Sequence, residues 1–305
     1  MDEPAELADR FEAHRGRLRG VAYRMLGSLA EADDAVQETW LRLARTDAGA
    51  ADGGERIENL PAWLTTVVSR VCLDMLRTRA TRREDFVGGQ VPDHIAAAEA
   101  HSPEEEALLI ESVGRALLVV LDTLTPAERV AFVLHDSFAV PFDRIAPIVE
   151  RSTAATKKLA SRARGKVRGT PETQATPTTP TAESAPHRHV VEAFLAAARG
   201  GDLDALLAVL APDVVRRADP AALPLGAATE IHGAAAVARE TVLLTRNAHH
   251  AALALINGAP GIVVAPSGRL LLALALTVDS GRITSYEVIA APARLRELDL
   301  AVLPE

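Results

Sequence analysis

Two segments of this sequence concentrate cationic side chains whose chemistry suits the binding of phosphate groups. Residues 151–168 carry seven Lys or Arg and no acid, and residues 70–83 carry five Arg against the single acid Asp74. Local clusters of this kind bind polyanions even where the whole chain is acidic, as it is here with a formal net charge of −8. The segregated charge predicts two separate surfaces for a nucleic acid.

The more cationic segment has the spacing of the second helix of a helix-turn-helix. Ile145 and Val149 give the preceding helix a buried face, and Ser152 can cap the next helix by accepting a backbone N–H bond. In such a motif the second helix enters the major groove, where residues of its first turns reach base edges. The expected DNA-reading residues are Ala154, Lys157, Lys158, Ser161, Arg162, Arg164 and Arg168.

Within this set the expected roles differ. Lys157, Lys158 and Ser161 are expected nearest the bases, whereas Arg162 and Arg164 are expected on the phosphate backbone, which positions a protein but specifies no sequence. An ordinary basic surface helix is the alternative interpretation. Pro147 removes one backbone bond of the preceding helix, so that helix is predicted to be kinked or to begin later.

The elements that carry these surfaces are helical as far as residue 169. Residues 5–86 predict three helices, the third of which opens at Pro61. Their expected buried faces are Leu18, Val21, Ala22, Met25 and Leu26 on the first, Leu29, Ala32, Val36, Trp40 and Leu43 on the second, and Trp63, Leu64, Val67, Val71 and Met75 on the third. Residues 87–103 suit a linker, and residues 104–169 return to helical periodicity.

A Thr- and Pro-rich segment, residues 170–186, predicts the clearest domain boundary because it cannot bury enough apolar surface to fold alone. Residues 187–305 then change character. The sequence predicts two short helices at 189–199 and 202–210, a strand at 214–217 and a helix at 233–245. After them come runs of strand-forming residues, which are separated by the hairpin turns Asn257-Gly258, Ser267-Gly268 and Ser280-Gly281. This order predicts an α+β domain.

The sequence contains little that would support catalysis or metal binding. The polar candidates in the last domain have no diagnostic spacing, and His249 and His250 are expected in a strand; the candidates are Asp213, Asp219, His232, His249, His250 and Glu287. No HExxH, Cys-His or Gly-rich phosphate motif occurs. We therefore expect no enzyme activity, no metal and no cofactor.

Composition bounds the class of protein further. A length of 305 residues predicts two or three domains. Cys72 is the only cysteine, which excludes an internal disulfide and fits a reducing compartment. No run of eighteen apolar residues and no secretory signal pattern is present. A cytoplasmic protein without a membrane span is expected.

Two stretches resemble a known family. FEAHRGRLRGVAYRMLGSLAEADDAVQETWLRLART and LPAWLTTVVSRVCLDMLRTRATRREDFVG resemble the polymerase-binding region of extracytoplasmic-function sigma factors, most specifically through DDAVQETWLRL. Residues 126–169 look like the promoter-reading region of that family, and PFDRIAPIV is similar to its subgroup with an appended SnoaL-like domain. The resemblance implies all-α sigma region 2 (5–86) and sigma region 4 (104–169) followed by an α+β NTF2-like cone (187–305).

The resemblance also implies partners and site residues. One exposed face of the second helix would bind the β′ clamp helices of core RNA polymerase, and region 4 would meet the β flap; the residues of that face are Asp33, Asp34, Gln37, Glu38 and Leu41. The promoter −10 element would be held as single-stranded DNA by Asn59, Arg70, Arg77, Arg79, Arg82 and Arg83. The last domain would contact the sigma regions and tune activity in cis, although ADPAALPLG replaces the subgroup's DGGGK motif.

Two other classes stay open on the residues alone. One is a ligand-responsive helix-turn-helix regulator that does not associate with core polymerase. The other is a small-molecule isomerase or hydrolase attached to a DNA-binding module. Association with core polymerase distinguishes a sigma factor from both.

Overall fold

A computed structural model of the chain describes residues 3–51, 57–85, 114–169, 184–224, 226–243, 245–266 and 270–303. The chain folds into two compact units. The first consists of Met1–Val113 with Leu124–Arg164, and the second of Gly114–Thr123 with Gly165–Glu305.

The first unit begins with three long helices: α1 (Glu3–Leu26), α2 (Leu29–Ala51) and α3 (Leu60–Asp85). The five apolar residues predicted for one face of α1 are all buried. Gly27 ends α1 with a φ of 75°, in the left-handed region that favours glycine. On α2 the predicted face is buried except at Trp40, which is partly exposed and packs against Phe11 with ring centroids 5.1 Å apart.

Shorter helices follow: α4 (Arg115–Asp122), which belongs to the second unit, then α5 (Pro126–Phe132), α6 (Phe142–Val149) and α7 (Thr153–Arg168). Glu150 adopts the left-handed conformation between α6 and α7, and the Ser152 hydroxyl accepts a bond from the Ala155 N–H at 3.2 Å, which confirms the predicted turn and cap. Pro147 lies inside α6, so the helix does not begin later. Only one backbone bond is lost there, because Pro147 has no N–H to donate to the carbonyl four residues earlier, whereas its neighbours keep theirs.

The buried face of α3 lies about one residue away from its predicted position. Trp63, Val67 and Met75 are partly exposed, whereas Leu64 and Val71 are buried as predicted. The other buried apolar residues of α3 are Leu60, Val68, Cys72, Leu73 and Leu76. Because α3 packs against α1 and α2 and also against α5 and α6, its buried arc is wider than that of a helix covered on one side.

The second unit places helices against a seven-stranded sheet of order β2-β1-β6-β5-β4-β3-β7. Its helices are α8 (Ser184–Gly200), α9 (Leu203–Val209), α10 (Ala234–Leu243) and α11 (Pro292–Glu297). Its strands are β1 (Leu210–Ala218), β2 (Glu230–His232), β3 (Ala251–Ile256), β4 (Ala259–Val264), β5 (Leu272–Asp279), β6 (Arg282–Ile289) and β7 (Leu300–Ala301). The predicted fold class is confirmed in its outline, helical N-terminal regions followed by an α+β domain.

Local signals predicted most turns of this unit. Asn257-Gly258 and Ser280-Gly281 both have positive φ angles and join antiparallel strands, as their sequences predicted. Ser267-Gly268 lies outside the described residues. His249 and His250 were wrongly expected in a strand, because a 3₁₀ turn, Thr245–His250, precedes β3.

The two faces of the sheet are covered by different helices. On β4, Ile262 and Val264 join the core formed with α8, α9 and α10. Val263 points to the opposite face, where it packs with Val119 and Val120 of α4. The alternation of neighbouring residues between faces follows from the pleat of a strand.

The last residues of α7 also lie on the α4 face of the sheet. The Val302 N–H donates to the Val167 carbonyl at 2.9 Å, and Val167 packs against the same apolar cluster as α4. Residues 114–123 and 165–169 were predicted as part of the 104–169 region, yet the structure groups them with the C-terminal sheet. Val119 and Val120 are buried against apolar residues of the sheet. The helix that carries them therefore belongs to the second unit because of its packing, although it precedes part of the first unit in the sequence. The boundaries at 86, 103, 169 and 186 stay predictions.

Asp219 and Glu287, two of the polar candidates, meet through a shared cation. The Asp219 carboxylate accepts bonds from the Ala290 and Ala291 N–H groups, both at 3.0 Å, and from Arg294 at 2.6 Å; Arg294 also donates to Glu287 at 2.9 Å. Burial alone would raise the pKa of Asp219, but the two backbone donors and Arg294 outweigh it and lower the pKa. The cluster therefore holds the start of α11 against the end of β1.

Asp219→Asn is expected to lower the free energy of unfolding by about 1–3 kcal/mol at neutral pH, because the charged acceptor of three bonds is lost. A carboxyl group whose pKa is lowered by folding stabilises the fold above its unfolded pKa of about 3.9, and this contribution is lost as the pH falls. The difference between wild type and variant in urea unfolding should therefore shrink between about pH 5 and pH 3. A difference that does not change with pH would contradict a charge-based role.

Candidate polymerase and nucleic-acid interfaces

The acidic face of α2 is exposed at helical spacing. Asp34 and Gln37 are exposed, and Leu41 one turn later keeps 41% of its surface accessible. Asp33 and Glu38 are partly exposed, and each forms an ion pair with an arginine: Arg19 Nε lies 2.9 Å from Asp33, and Arg42 Nε lies 2.8 Å from Glu38. The free part of the predicted face is thus a ridge of Asp34, Gln37 and Leu41, called the α2 ridge below.

The arginines of α3 divide into two groups. Arg70 and Arg77 are exposed, as predicted for residues that follow a nucleic-acid backbone. Arg79 is different, because its side chain is 18% exposed, pairs with Glu31 and donates to the Leu26 carbonyl at 3.1 Å. These contacts join α3 to α1 and α2, so the geometry favours a structural role for Arg79 over the predicted DNA contact. The side chains of Arg82 and Arg83 lie outside the described residues.

Asn59 immediately precedes α3 and caps its first turn. Its side-chain oxygen accepts the Ala62 N–H at 3.0 Å, and its own carbonyl accepts the Trp63 N–H. Among the described residues, no hydrogen bond engages the amide nitrogen of Asn59. Asn59 borders a cleft of about 400 Å³ whose walls come from Arg17, the first turns of α3 and the residues around the start of α6.

The exposed arc of α7 agrees with the prediction for its first turns. Ala154, Lys157, Lys158 and Ser161 are exposed, and Arg168 is exposed at the end of the helix. Among the described residues, no ion pair or side-chain hydrogen bond engages Lys157 or Lys158. Thr156, Ala160 and Ala163 are buried on the opposite arc.

Arg162 and Arg164 of α7 are held by acids of the same unit. Arg162 Nε lies 3.1 Å from Glu128, which is nearly fully buried at the start of α5, and Arg164 Nε lies 2.7 Å from Asp136. Both pairs fasten α7 to the helices that precede it. Their predicted contacts with the DNA backbone must therefore compete with these internal partners.

The region around α3 and the helix-turn-helix touch within the first unit. Arg70 donates to the Pro147 carbonyl at 3.5 Å, and Arg77 lies 3.3 Å from the Glu150 carboxylate. Arg24 also lies over the Phe138 ring at 5.1 Å. Two of the cations predicted for the −10 element are thus engaged by the end of α6.

Sequence reasoning missed a polar group in the second unit. Arg216 of β1 is 1% exposed and donates to the Glu240 carboxylate of α10 through Nε and Nη2 and to the Ala228 carbonyl. Nearby, the hydroxyls of Tyr286 and Thr241 lie 3.2 Å apart, and burial raises the pKa of Tyr286 to about 12. The one signal in the sequence was the alternation of side chains along β1, which places Arg216 at an inward position between Val214 and Ala218.

The remaining polar candidates do not gather around this group. Asp213 and His249 are exposed, and His232 is 67% exposed and lies 2.9 Å from Glu230. Within the described residues no three His, Cys, Asp or Glu side chains come together as metal ligands would. None of the helices described there is long and apolar enough to cross a bilayer.

Comparisons with known proteins address the whole chain. The model of Sigma-70 region 2 matches residues 10–82. The ECF RNA polymerase sigma factor SigJ of Mycobacterium tuberculosis is 38% identical over 295 residues, which cover 92% of this chain and 91% of the relative. The probable ECF RNA polymerase sigma factor SigI of the same species is 33% identical over 307 residues, which cover 98% of each chain.

A crystal structure of Mycobacterium tuberculosis SigJ covers 94% of this chain and 97% of its own, with a TM-score of 0.44 and 33% identity. Because the sequence similarity to ECF sigma factors runs through both units, a conventional helix-turn-helix regulator that does not associate with core polymerase does not account for it. The chain belongs to the ECF sigma factors of RNA polymerase.

Proposed function

We propose that this sigma factor binds core RNA polymerase through the α2 ridge. The observation that carries this proposal is the exposure of Leu41 one turn after Gln37 and two turns after Asp34, on a helix whose other face is buried. An apolar residue beside Asp34 suits a partner helix that is basic and partly apolar, such as a β′ clamp helix. Asp33 and Glu38 would support the ridge from the side, where Arg19 and Arg42 partly neutralise them.

Promoter DNA is held by two further surfaces of the same chain in this proposal. Asn59, Arg70 and Arg77, with Arg82 and Arg83 beyond them, take the −10 strand. Lys157, Lys158 and Ser161 of α7 take the −35 duplex, while the region that contains α7 meets the β flap. Arg70 and Arg77 exchange Pro147 and Glu150 for phosphates when DNA binds, so promoter engagement separates α3 from α6.

The C-terminal domain regulates this activity in cis and has no catalysis of its own. Support comes from the face of the sheet that holds α4 and Val167, since Val167 is part of the helix proposed to read DNA. A change in the sheet therefore reaches the end of α7 directly. The proposed place of action is the cytoplasm, where core polymerase and the chromosome are.

Reversing the charge of the α2 ridge tests the proposal. Asp34→Arg is expected to weaken association with purified core polymerase about tenfold, because a cation then faces a basic partner surface. Association can be measured by fluorescence anisotropy of the labelled full-length chain. The fold should be unaffected, since Asp34 is exposed and none of the described residues forms an ion pair with it.

Asp9→Arg provides a matched control, because Asp9 is an exposed acid on α1 outside the ridge. It makes the same change in net charge and should leave polymerase association within about twofold of wild type. Equal losses for the two variants would show a general charge effect and would remove the α2 ridge from the interface.

A further inference from the structure

The second unit contains a cavity of about 120 Å³ between its helices and the sheet. Most of its lining is apolar, including Phe194, Leu195, Ala198, Ala251, Ile262 and Leu274. Apolar cavities of about 150 Å³ hold a molecule the size of benzene, so the volume here fits one small ring. A pocket that is mainly apolar with a few convergent polar groups is the usual form of a small-molecule site.

The hydroxyl groups in the cavity have a defined direction of hydrogen bonding. Thr241 Oγ1 donates its only hydrogen to the Val237 carbonyl, one turn back on α10, at 2.9 Å. The Tyr286 hydroxyl, 3.2 Å away, must therefore be the donor to Thr241. The Tyr286 oxygen keeps its lone pairs but has no hydrogen left to give, so it can only accept a bond from a ligand.

The charged pair in the wall favours an uncharged ligand that donates hydrogen bonds. Arg216 and Glu240 neutralise each other, and the Arg216 side chain is only 2% exposed, whereas that of Glu240 is 20% exposed. The more accessible partner of the pair is thus Glu240, whose oxygens accept bonds. A cationic ligand would meet a carboxylate already paired with Arg216, and an anionic one would face its oxygens.

We propose that this cavity binds a small uncharged ring that carries an O–H or N–H donor, the class of a cyclic alcohol or a phenol. The donor bonds to the Tyr286 oxygen and the ring packs among the apolar wall residues. Strand β4 lines the cavity with one face and packs against α4 with the other. Only the thickness of β4 therefore separates a bound ligand from the apolar cluster that holds the end of α7.

Cyclohexanol and cyclohexanone test the proposal on the full-length chain, because they share a ring and differ in the donor. Both should bind, as measured by saturation-transfer NMR and calorimetric titration, and the alcohol should bind about three- to tenfold tighter, the worth of one hydrogen bond. Tyr286→Phe should remove this preference while binding of the ketone persists.

Filling the cavity supplies the second arm. Ala198→Leu should reduce binding of the alcohol at least tenfold, whereas Ala196→Leu, an exposed position on the same helix, should leave it unchanged. Ala222→Leu fills the half-buried edge of the cavity and replaces Ala198→Leu if thermal unfolding shows that the latter misfolds. Absence of binding at 10 mM, roughly the weakest affinity expected of such small ligands, would overturn the proposal. Equal affinities for the alcohol and the ketone, or tighter binding of cyclohexylamine, would also overturn it. So would binding of the alcohol that survives both filling variants.

Discussion

Glu240→Ala is expected to lower the free energy of unfolding of the C-terminal unit by about 3–5 kcal/mol, the usual cost of removing one partner of a buried ion pair. Arg216 would lose both bonds to the carboxylate and, among the described residues, would keep only the Ala228 carbonyl as an acceptor. Its guanidinium cannot become neutral, because arginine stays protonated in proteins, and it cannot reach water from an almost fully buried position.

Urea unfolding followed by circular dichroism measures this loss, and hydrogen exchange of β1 and α10 assigns it to the second unit. Glu230→Ala is the matched control, because Glu230 pairs with Arg217 on the neighbouring strand at 3.2 Å with both side chains well exposed. Exposed pairs contribute about 0–1 kcal/mol, so the control should be nearly neutral.

The double variant Arg216→Met/Glu240→Leu separates a missing charge from a missing shape. Replacing a buried pair by apolar residues of similar size is often neutral or stabilising, so this variant should recover most of the stability that Glu240→Ala loses. A double variant as unstable as Glu240→Ala would show that the pair acts through shape or through other contacts, and the electrostatic account would fail.

Features set by neighbours in sequence were predictable, and features set by distant partners were not. The cap at Ser152 and the hairpin turns at Asn257 and Ser280 depend on residues a few positions apart, and the structure has them where the sequence placed them. The Arg216–Glu240 pair joins residues 24 positions apart on a strand and a helix. The alternation along β1 predicted only that the Arg216 side chain points inward, and it gave no information about which residue it would pair with.

The candidate DNA surface divides in the same way. Helical spacing placed Lys157, Lys158 and Ser161 on an exposed arc, and they are exposed. Spacing did not show that Arg162 and Arg164 are engaged, because their partners Glu128 and Asp136 are 34 and 28 residues away. Type and period thus predict which way a side chain points but not which charge it meets.

The place of α4 was beyond periodicity for a related reason. Val119 and Val120 indicate an apolar face, and such a face can be covered by helices or by a sheet. In the structure the sheet covers it, together with Val167 from the end of α7. The choice depends on the total apolar surface that each arrangement buries, which no window of sequence contains.

Lys157→Glu is expected to reduce transcription from a −35-dependent promoter about 100-fold. A base contact in the major groove is worth about 1–3 kcal/mol, and the introduced carboxylate adds repulsion from neighbouring phosphates. In contrast to Arg162 and Arg164, Lys157 has no acid among the described residues to which it is paired, so its whole charge faces outward.

The measurement is in vitro transcription with core polymerase on a promoter selected by the wild-type holoenzyme from a library randomised at the −35 element. Arg10→Glu, which reverses an exposed charge on α1, should reduce transcription less than twofold. Lys157→Arg should retain most activity but select a different −35 sequence, since guanidinium and ammonium groups present different donor geometries. If Lys157→Glu loses no more activity than Arg10→Glu, the exposed face of α7 does not read the promoter. A loss with Lys157→Glu and an unchanged selection with Lys157→Arg would confine Lys157 to the phosphate backbone.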